Sequence, residues 1–309
     1  TSTLKPDPNF NYMKSFRNLT FLVPLAGIFP SACTQLTTSR SNSAGCWEST
    51  VTPIRSADPW RLFELTTRTN ESRFLLRPSD LVNSRVLGCI ARAQLIYPVR
   101  IHAFVVMSNH YHMLVSAPDA GQLARFMCHL NGNMARKVNK LLERSGKFWS
   151  RPFRSIPIAD DEASQVERLR YIVRHGVKER LVRNVRDWPG ASSLPWMLEG
   201  SPLVGIWQDQ TAAFYKNRKK PKNQHVDVLI EYELQMSPLP CWAEEPVESW
   251  RAHVKELVAE VDASERAAAA GEADAVVLGV EGVLSQDPFG QPAETSTHKA
   301  PKCHAADHA

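Results

Sequence analysis

Cysteine is sparse and its spacing forms no pattern. The six cysteines, at positions 33, 46, 89, 128, 241 and 303, include no C-x-x-C and no compact grouping. That argues against a zinc finger and against a disulfide scaffold. Free thiols in a reducing cytosol are the simplest expectation, so a cytoplasmic protein is expected. No apolar run reaches the roughly 20 residues needed to span a bilayer, and no membrane partner is expected. There is no internal repeat and no H-E-x-x-H, the helical pair of zinc ligands that carries its own general-base glutamate.

What is present is ordinary in composition and uneven in charge. Hydrophobic residues make up 43% and charged residues 22% of 309 residues, as in a soluble globular protein with room for two domains. The net charge is +5, yet residues from Trp242 onward hold 5 Lys/Arg and 13 Asp/Glu, so the body before them carries +13. A basic body with an acidic tail points to a polyanionic partner; scattered surface lysines and arginines are the plain alternative.

Residues 1–57, rich in Ser, Thr, Asn and Pro, read as disordered or appended. From Met13 the stretch MKSFRNLTFLVPLAGIFPSAC has the layout of a bacterial secretory or lipoprotein signal. Pro24 and the internal start weigh against that, and an over-extended reading frame is the preferred account. Residues 61–69 and 99–107 alternate as strands, and 112–117 completes a hairpin with the second. Ser79 and Asp80 open a helix to about Ile96. Residues 121–146 show a period near 3.6, with a kink expected at Asn131-Gly132. A strand at 153–158 precedes a helix opened by Asp160, Asp161 and Glu162 and ended by Gly176. The order predicts an α+β fold, a ferredoxin-like antiparallel sheet with helices packed on one or both faces. Residues 199–270 read as a basic loop, KNRKKPK at 216–222, followed by a helix over 247–270. Residues 271–309 read as a loosely ordered acidic tail.

The chemistry centres on VRIHAFVVMSNHYHMLVSAPD at 99–119. Residues i and i+2 of a strand share a face, so His110 and His112 can aim two imidazoles at one point, half of a metal site. Taken alone, such a pair is more often two hydrogen-bonded core histidines. The segment VERLRYIVRHGVKERLV at 166–182 adds Tyr171 and, one helical turn on, His175. If that helical face meets the pair, three imidazoles surround one divalent ion beside a phenol. Arg168, Arg170, Arg174, Lys178, Arg180, Arg183 and Arg186 lie around the tyrosine and can hold a phosphodiester backbone. A core tyrosine with its hydroxyl at the surface is the plain alternative. Trp149 and Trp188 can stack on bases, although core packing is the commoner role, and His102 reads as structural.

The segments IHAFVVMSNHYHMLV, KFWSRPFRS, RLRYIVRHGVKERLV and DWPGASS at 187–193 stand in an order and spacing that resembles the single-tyrosine HUH transposases, specifically the REP-associated tyrosine transposases and their insertion-sequence relatives. The resemblance covers about residues 58–198. It implies a metal-dependent transposase that cleaves and rejoins single-stranded or hairpin DNA. On it, His110 and His112 bind Mg²⁺ or Mn²⁺, Tyr171 is the nucleophile that forms a 5′-phosphotyrosine, and Arg68 lies where the first strand approaches DNA. A monomer or homodimer is expected. The departure is at His175-Gly176, where the family has Asn-Pro. The residue four after the tyrosine is the family's third ligand, and histidine there favours Mn²⁺ or another transition ion. Two alternatives stay open: a DNA- or RNA-hairpin binder that has lost cleavage, and a zinc hydrolase built on the three histidines.

Overall fold

The computed structural model describes residues 59–270, 276–292 and 304. Residues 1–57, with the signal-like stretch, lie outside the described residues.

Alternation of apolar and polar residues produces the central sheet. Strand β1 (Leu62–Arg68) leads into helix α1 (Asp80–Ile96), then the hairpin β2 (Arg100–Val106) and β3 (His110–Ser116), helix α2 (Ala120–Leu141) and strand β4 (Arg154–Pro157). The strand order is β2-β3-β1-β4 and every pairing is antiparallel. This is the ferredoxin-like α+β arrangement expected from the element order.

Helices cover both faces. Phe63, Leu65, Tyr111, Met113 and Val115 of the sheet pack with α1 and α2 in one core. Helix α1 starts where the Ser79 hydroxyl accepts from the Val82 amide at 3.3 Å. Helix α2 runs unbroken through Asn131-Gly132, where a kink was expected. Gly132 is exposed and faces open space, so a single helical glycine costs only about 1 kcal/mol of propensity and the hydrogen-bond ladder continues.

The opposite face packs Leu62, Ala103, Val105 and Leu114 against α3 (Glu162–Val173), α4 (His175–Lys178) and α5 (Leu194–Glu199), and against the later helix α7 (Val247–Ala270). The first of these begins at Asp161, whose carboxylate accepts from the Ser164 amide at 2.7 Å. The helix breaks at Arg174 (φ −76°, ψ −4°), not at Gly176. Gly176 sits inside α4, where an added Cβ would come within 3.2 Å of Val182 and 3.3 Å of the Trp188 ring. The glycine there allows close packing against Val182 and Trp188 and does not end the helix.

Past Trp196 the expected basic loop contains a second hairpin with a helical insert: β5 (Val204–Gln208), α6 (Gln210–Asn217) and β6 (Leu229–Glu233). It docks on α1 through two glycines. A Cβ on Gly205 would fall 2.0 Å from the Gly88 amide, so neither position accepts a side chain. Helix α7 (Val247–Ala270) spans the expected range and buries Trp250, Val254, Leu257, Val258 and Val261, a stripe at helical spacing. In the segment expected to be loosely ordered, α8 (Gly279–Leu284) forms and Val283 is fully buried. Arg77 donates to the Leu284 carbonyl and Ser108 to Gln286, contacts between distant segments that local composition does not reveal. No described helix is long and apolar enough to cross a membrane.

Both sheet edges are covered. On β2, Val106 donates to Ala191 and Ser193 to Phe104, so DWPGASS forms a strap. On β4, His304 exchanges backbone hydrogen bonds with Pro157 and Ala159.

Candidate active site

Strand pairing builds the site from the sheet upward. In the β1–β3 register Thr66 faces His112 and Arg68 faces His110, so these residues and Glu64 share the α3 side of the sheet. Tyr111, between the histidines, points the other way. It is fully buried under α2, with its hydroxyl on Asn131 Oδ1 at 2.7 Å. The bulky middle residue anchors the strand, and the flanking imidazoles are aimed as a consequence.

The third imidazole arrives from α4. His110, His112 and His175 are all buried, and their ligand atoms lie within 4.8 Å of one another. His110 and His175 meet through their Nε2 atoms at 2.8 Å. The other nitrogens of the pair are anchored: His110 Nδ1 lies 2.6 Å from Asn109 Oδ1, and His112 Nδ1 lies 2.7 Å from Glu64 Oε1. An acceptor at each Nδ1 selects the tautomer that leaves the Nε2 lone pair free, the arrangement found behind metal-ligating histidines. The Nδ1 of His175 is buried with no hydrogen-bond partner.

Electrostatics agree with a cation site. Burial, then the neighbouring imidazoles, pushes His110 well below the ordinary histidine range; burial and then His112 do the same for His175. Both are neutral at pH 7, as a ligand must be. The three buried imidazoles therefore fit a divalent cation, and their nitrogen-only donor set suits transition ions better than Mg²⁺.

Glu64 is the buried partner of the site that the sequence reading missed. It is 3% exposed and contacts three side chains. Oε1 accepts from His112, and Oε2 lies 3.1 Å from the Arg168 guanidinium and 2.6 Å from His304 Nε2. Burial opposes its ionisation. The hydrogen bonds from His112 and His304, with the Arg168 charge, outweigh that and hold the carboxyl well below the usual carboxylate range. A glutamate thus stands beside the three histidines although the chain has no H-E-x-x-H. Its oxygens are engaged, however, so it orients His112 and is not free to serve as the general base of a hydrolase.

Tyr171 is half-buried beside the histidines, with ring centroids 5.3 Å from His112 and 5.2 Å from His175. The Arg168 guanidinium lies over its ring at 4.1 Å and the Lys178 ammonium at 5.3 Å. Burial, then the Glu64 charge, raises the phenol above its ordinary value, against the opposing charge of Arg168.

The other expected contacts separate. Arg68 is half-buried, near enough to depress His110 and His175 by its charge. Arg174 acts similarly on Tyr171. Arg170 turns away to Glu260 on α7 at 2.6 Å. Arg180 lies beyond α4 in the left-handed region (φ 55°), and its carbonyl accepts from Leu278. Trp188 donates from Nε1 to the Val106 carbonyl and Trp149 to that of Asn131, so both are packing residues. His102, at the bulge in β2, bonds Pro238 and Ser116 and takes no part in the site.

Comparison with known proteins followed the same segment. Residues 63–175 match the family described as transposase, IS200-like. No curated protein matches the chain. Among solved structures, a REP-associated tyrosine transposase bound to a REP hairpin is similar at 20% identity, covering 45% of this chain and 79% of that one, with a TM-score of 0.37. A candidate transposase from Deinococcus radiodurans R1 is similar at 16% identity, covering 37% of this chain and 92% of that one, with a TM-score of 0.28. The matched residues run from β1 through the last of the three histidines, and over this segment the chain is similar to the IS200-like transposases.

Proposed function

We propose that the protein cleaves and rejoins single-stranded DNA, folded as a hairpin, through a covalent bond to Tyr171. The observation that carries this reading is the placement of a phenol one helical turn before a buried imidazole that joins two others. Tyr171 Oη attacks a phosphodiester phosphorus; the P–O3′ bond breaks and a P–Oη bond forms. The phenol gives up a proton and the departing 3′-oxygen takes one up. The product is a 5′-phosphotyrosine with a free 3′-hydroxyl. Attack by another 3′-hydroxyl reverses the step, so no external energy source is needed.

His110, His112 and His175 would hold the cation, with Mn²⁺ favoured over Mg²⁺ by the three nitrogen donors. When bound, it supplies Lewis-acid polarisation of the scissile phosphate and a charge that offsets the raised pKa of the phenol. Glu64 fixes the His112 ring. Arg168 and Lys178, over the Tyr171 ring, stabilise the phenolate and its developing phosphodiester; Arg68 and Arg174, whose charges reach the histidines and Tyr171, hold the backbone. Arg170 contributes only where DNA displaces Glu260, and Arg180 contributes from beyond α4.

Covalent capture tests the reading. The protein is incubated with a labelled single-stranded hairpin and Mn²⁺, then denatured and resolved by size. A protein–DNA adduct is expected with the native protein and none with Tyr171→Phe. An adduct that survives in Tyr171→Phe would remove the nucleophile assignment. Hairpin binding without an adduct under any metal would leave a strand-binding protein that keeps the fold.

A further inference from the structure

The basic run at 216–222 plays no part in the site described above, and the structure gives it an aromatic neighbour. Helix α6 is inserted between β5 and β6, outside the segment matched by the transposase family. None of its residues is buried. Phe214 is 64% exposed and Tyr215 67%, with their rings in edge contact at 5.6 Å. Immediately after come Lys216, Arg218, Lys219, Lys220 and Lys222, and residues 210–226 contain no acid.

Core packing does not account for this helix. Eight residues with no buried face do not hold a helix by themselves in water. The ends are pinned by polar contacts: the Asp209 carboxylate accepts from the Ala212 amide at 2.8 Å. The Asn217 side chain donates to the Val226 carbonyl at 2.8 Å and accepts from the Val226 amide at 2.9 Å. At the root, Lys137 donates to the Gln208 carbonyl, and Gln208 donates to Asp227 at 2.7 Å. Two large rings are therefore held out in solvent on a braced support beside a patch of positive charge. Exposed rings beside an acid-free run of cations favour unpaired bases stacked on the aromatics with phosphates held by the cations; Asp209 and Asp227 at the root are engaged with Ala212 and Gln208.

We propose that the β5–α6–β6 arm is a second DNA contact, which grips single-stranded DNA flanking the hairpin by stacking on Phe214 and Tyr215. The arm docks on α1, on the sheet face opposite the histidines, so it acts apart from the cleavage chemistry. The inference rests on the reading that the partner is single-stranded DNA, but not on cleavage.

The test uses the full chain carrying Tyr171→Phe, so that binding is read without covalent capture. Fluorescence anisotropy compares a blunt hairpin with the same hairpin bearing an unpaired tail of about a dozen nucleotides, a length within the site sizes of single-strand binders. In the Phe214→Ala/Tyr215→Ala variant, affinity for the tailed hairpin is expected to fall about tenfold or more, with the blunt hairpin unchanged. In Arg218→Gln/Lys219→Gln/Lys220→Gln, the logarithmic salt slope for the tailed hairpin is expected to fall by about 2, at roughly 0.7 per cation. Both sets of side chains are exposed, and an unchanged melting temperature confirms the fold. If the aromatic variant keeps the full preference for the tailed hairpin, the proposal is overturned and the aromatic pair is left for a protein partner. Absence of an adduct with the native protein, while the tail preference persists, would sink only the cleavage reading.

Discussion

On one face of the sheet, β1 and β3 offer Phe63, Leu65, Tyr111 and Met113; on the other, the same strands offer Glu64, Arg68, His110 and His112. The residues alternate along seven-residue strands, so the same backbone bonds position both sets. The first set sits in an apolar core. The second is polar, and its buried members Glu64, His110 and His112 would be costly without their partners. One register serves both faces: a one-residue slip would bury the imidazoles under α2 and turn Tyr111 to the α3 side. The apolar face thus secures the alignment that the polar face uses.

The largest separation of the two faces comes from Tyr171→Phe. The variant removes only an oxygen from the polar side. Adduct formation is expected to drop by at least about 10³-fold, as for loss of a nucleophile, with the melting temperature unchanged. Loss of both adduct and melting temperature would show that Tyr171 is a packing residue. On the apolar side, Tyr111→Ala is expected to cost about 3–5 kcal/mol in denaturant unfolding, as for removal of a fully buried aromatic. Tyr111→Phe, which loses only the Asn131 hydrogen bond, should cost about 1 kcal/mol. A small loss in Tyr111→Ala would mean that the strand is aligned by something other than this anchor.

A smaller effect distinguishes the polar face by pH. Burial pushes His102 from its ordinary 6.5 down to about 4. Below pH 6.5 the unfolded chain takes up a proton there that the native state refuses. Stability is therefore complete above about pH 6.5 and falls as pH drops toward 4, with ~3 kcal/mol from this residue. His110 and His175 act in the same sense. Glu64, held low, keeps its contribution down to about its ordinary value of 4.5 and loses it progressively as the pH falls further. Urea unfolding at stepped pH in the presence of a chelator measures this, and His102→Gln should flatten the curve by about one proton. An unaltered slope in that variant would place the proton elsewhere.

Much of this organisation is legible in sequence because it is periodic. Alternation marks β1 to β3, helical spacing marks α2 and α7, and the H-x-H and Y-x-x-x-H spacings mark the site. Partners without a period are invisible. Glu64 lies in LFELTTR and reads as one polar position of an alternating strand. The one available signal was its even spacing from Arg68, with an acid set between Phe63 and Leu65. His304 reaches Glu64 across a sequence separation that no local pattern records. The β5–β6 hairpin was missed because residues 209–228 intervene between its strands, where hairpin recognition depends on a short turn. The expected kink at Gly132 and stop at Gly176 failed for a related reason: a glycine permits a break, but neighbouring side chains decide whether one occurs.

Glu64 also gives the finest test of how the faces differ. In Glu64→Gln the amide oxygen still accepts from His112, so the ring keeps its orientation. The second position becomes a donor facing Arg168 and His304, both of which now favour an acceptor. The His112 imidazole loses its carboxylate partner at Nδ1. Mn²⁺ affinity, read by calorimetry or by the metal-dependent rise in melting temperature, is expected to weaken about 10–100-fold, the usual cost of removing such a partner. Saturating Mn²⁺ should then restore adduct formation, because the three imidazoles and Tyr171 remain. Native Mn²⁺ affinity in this variant, with only a lower melting temperature, would mean that Glu64 serves the buried ion-pair network and leaves the metal ligands untouched.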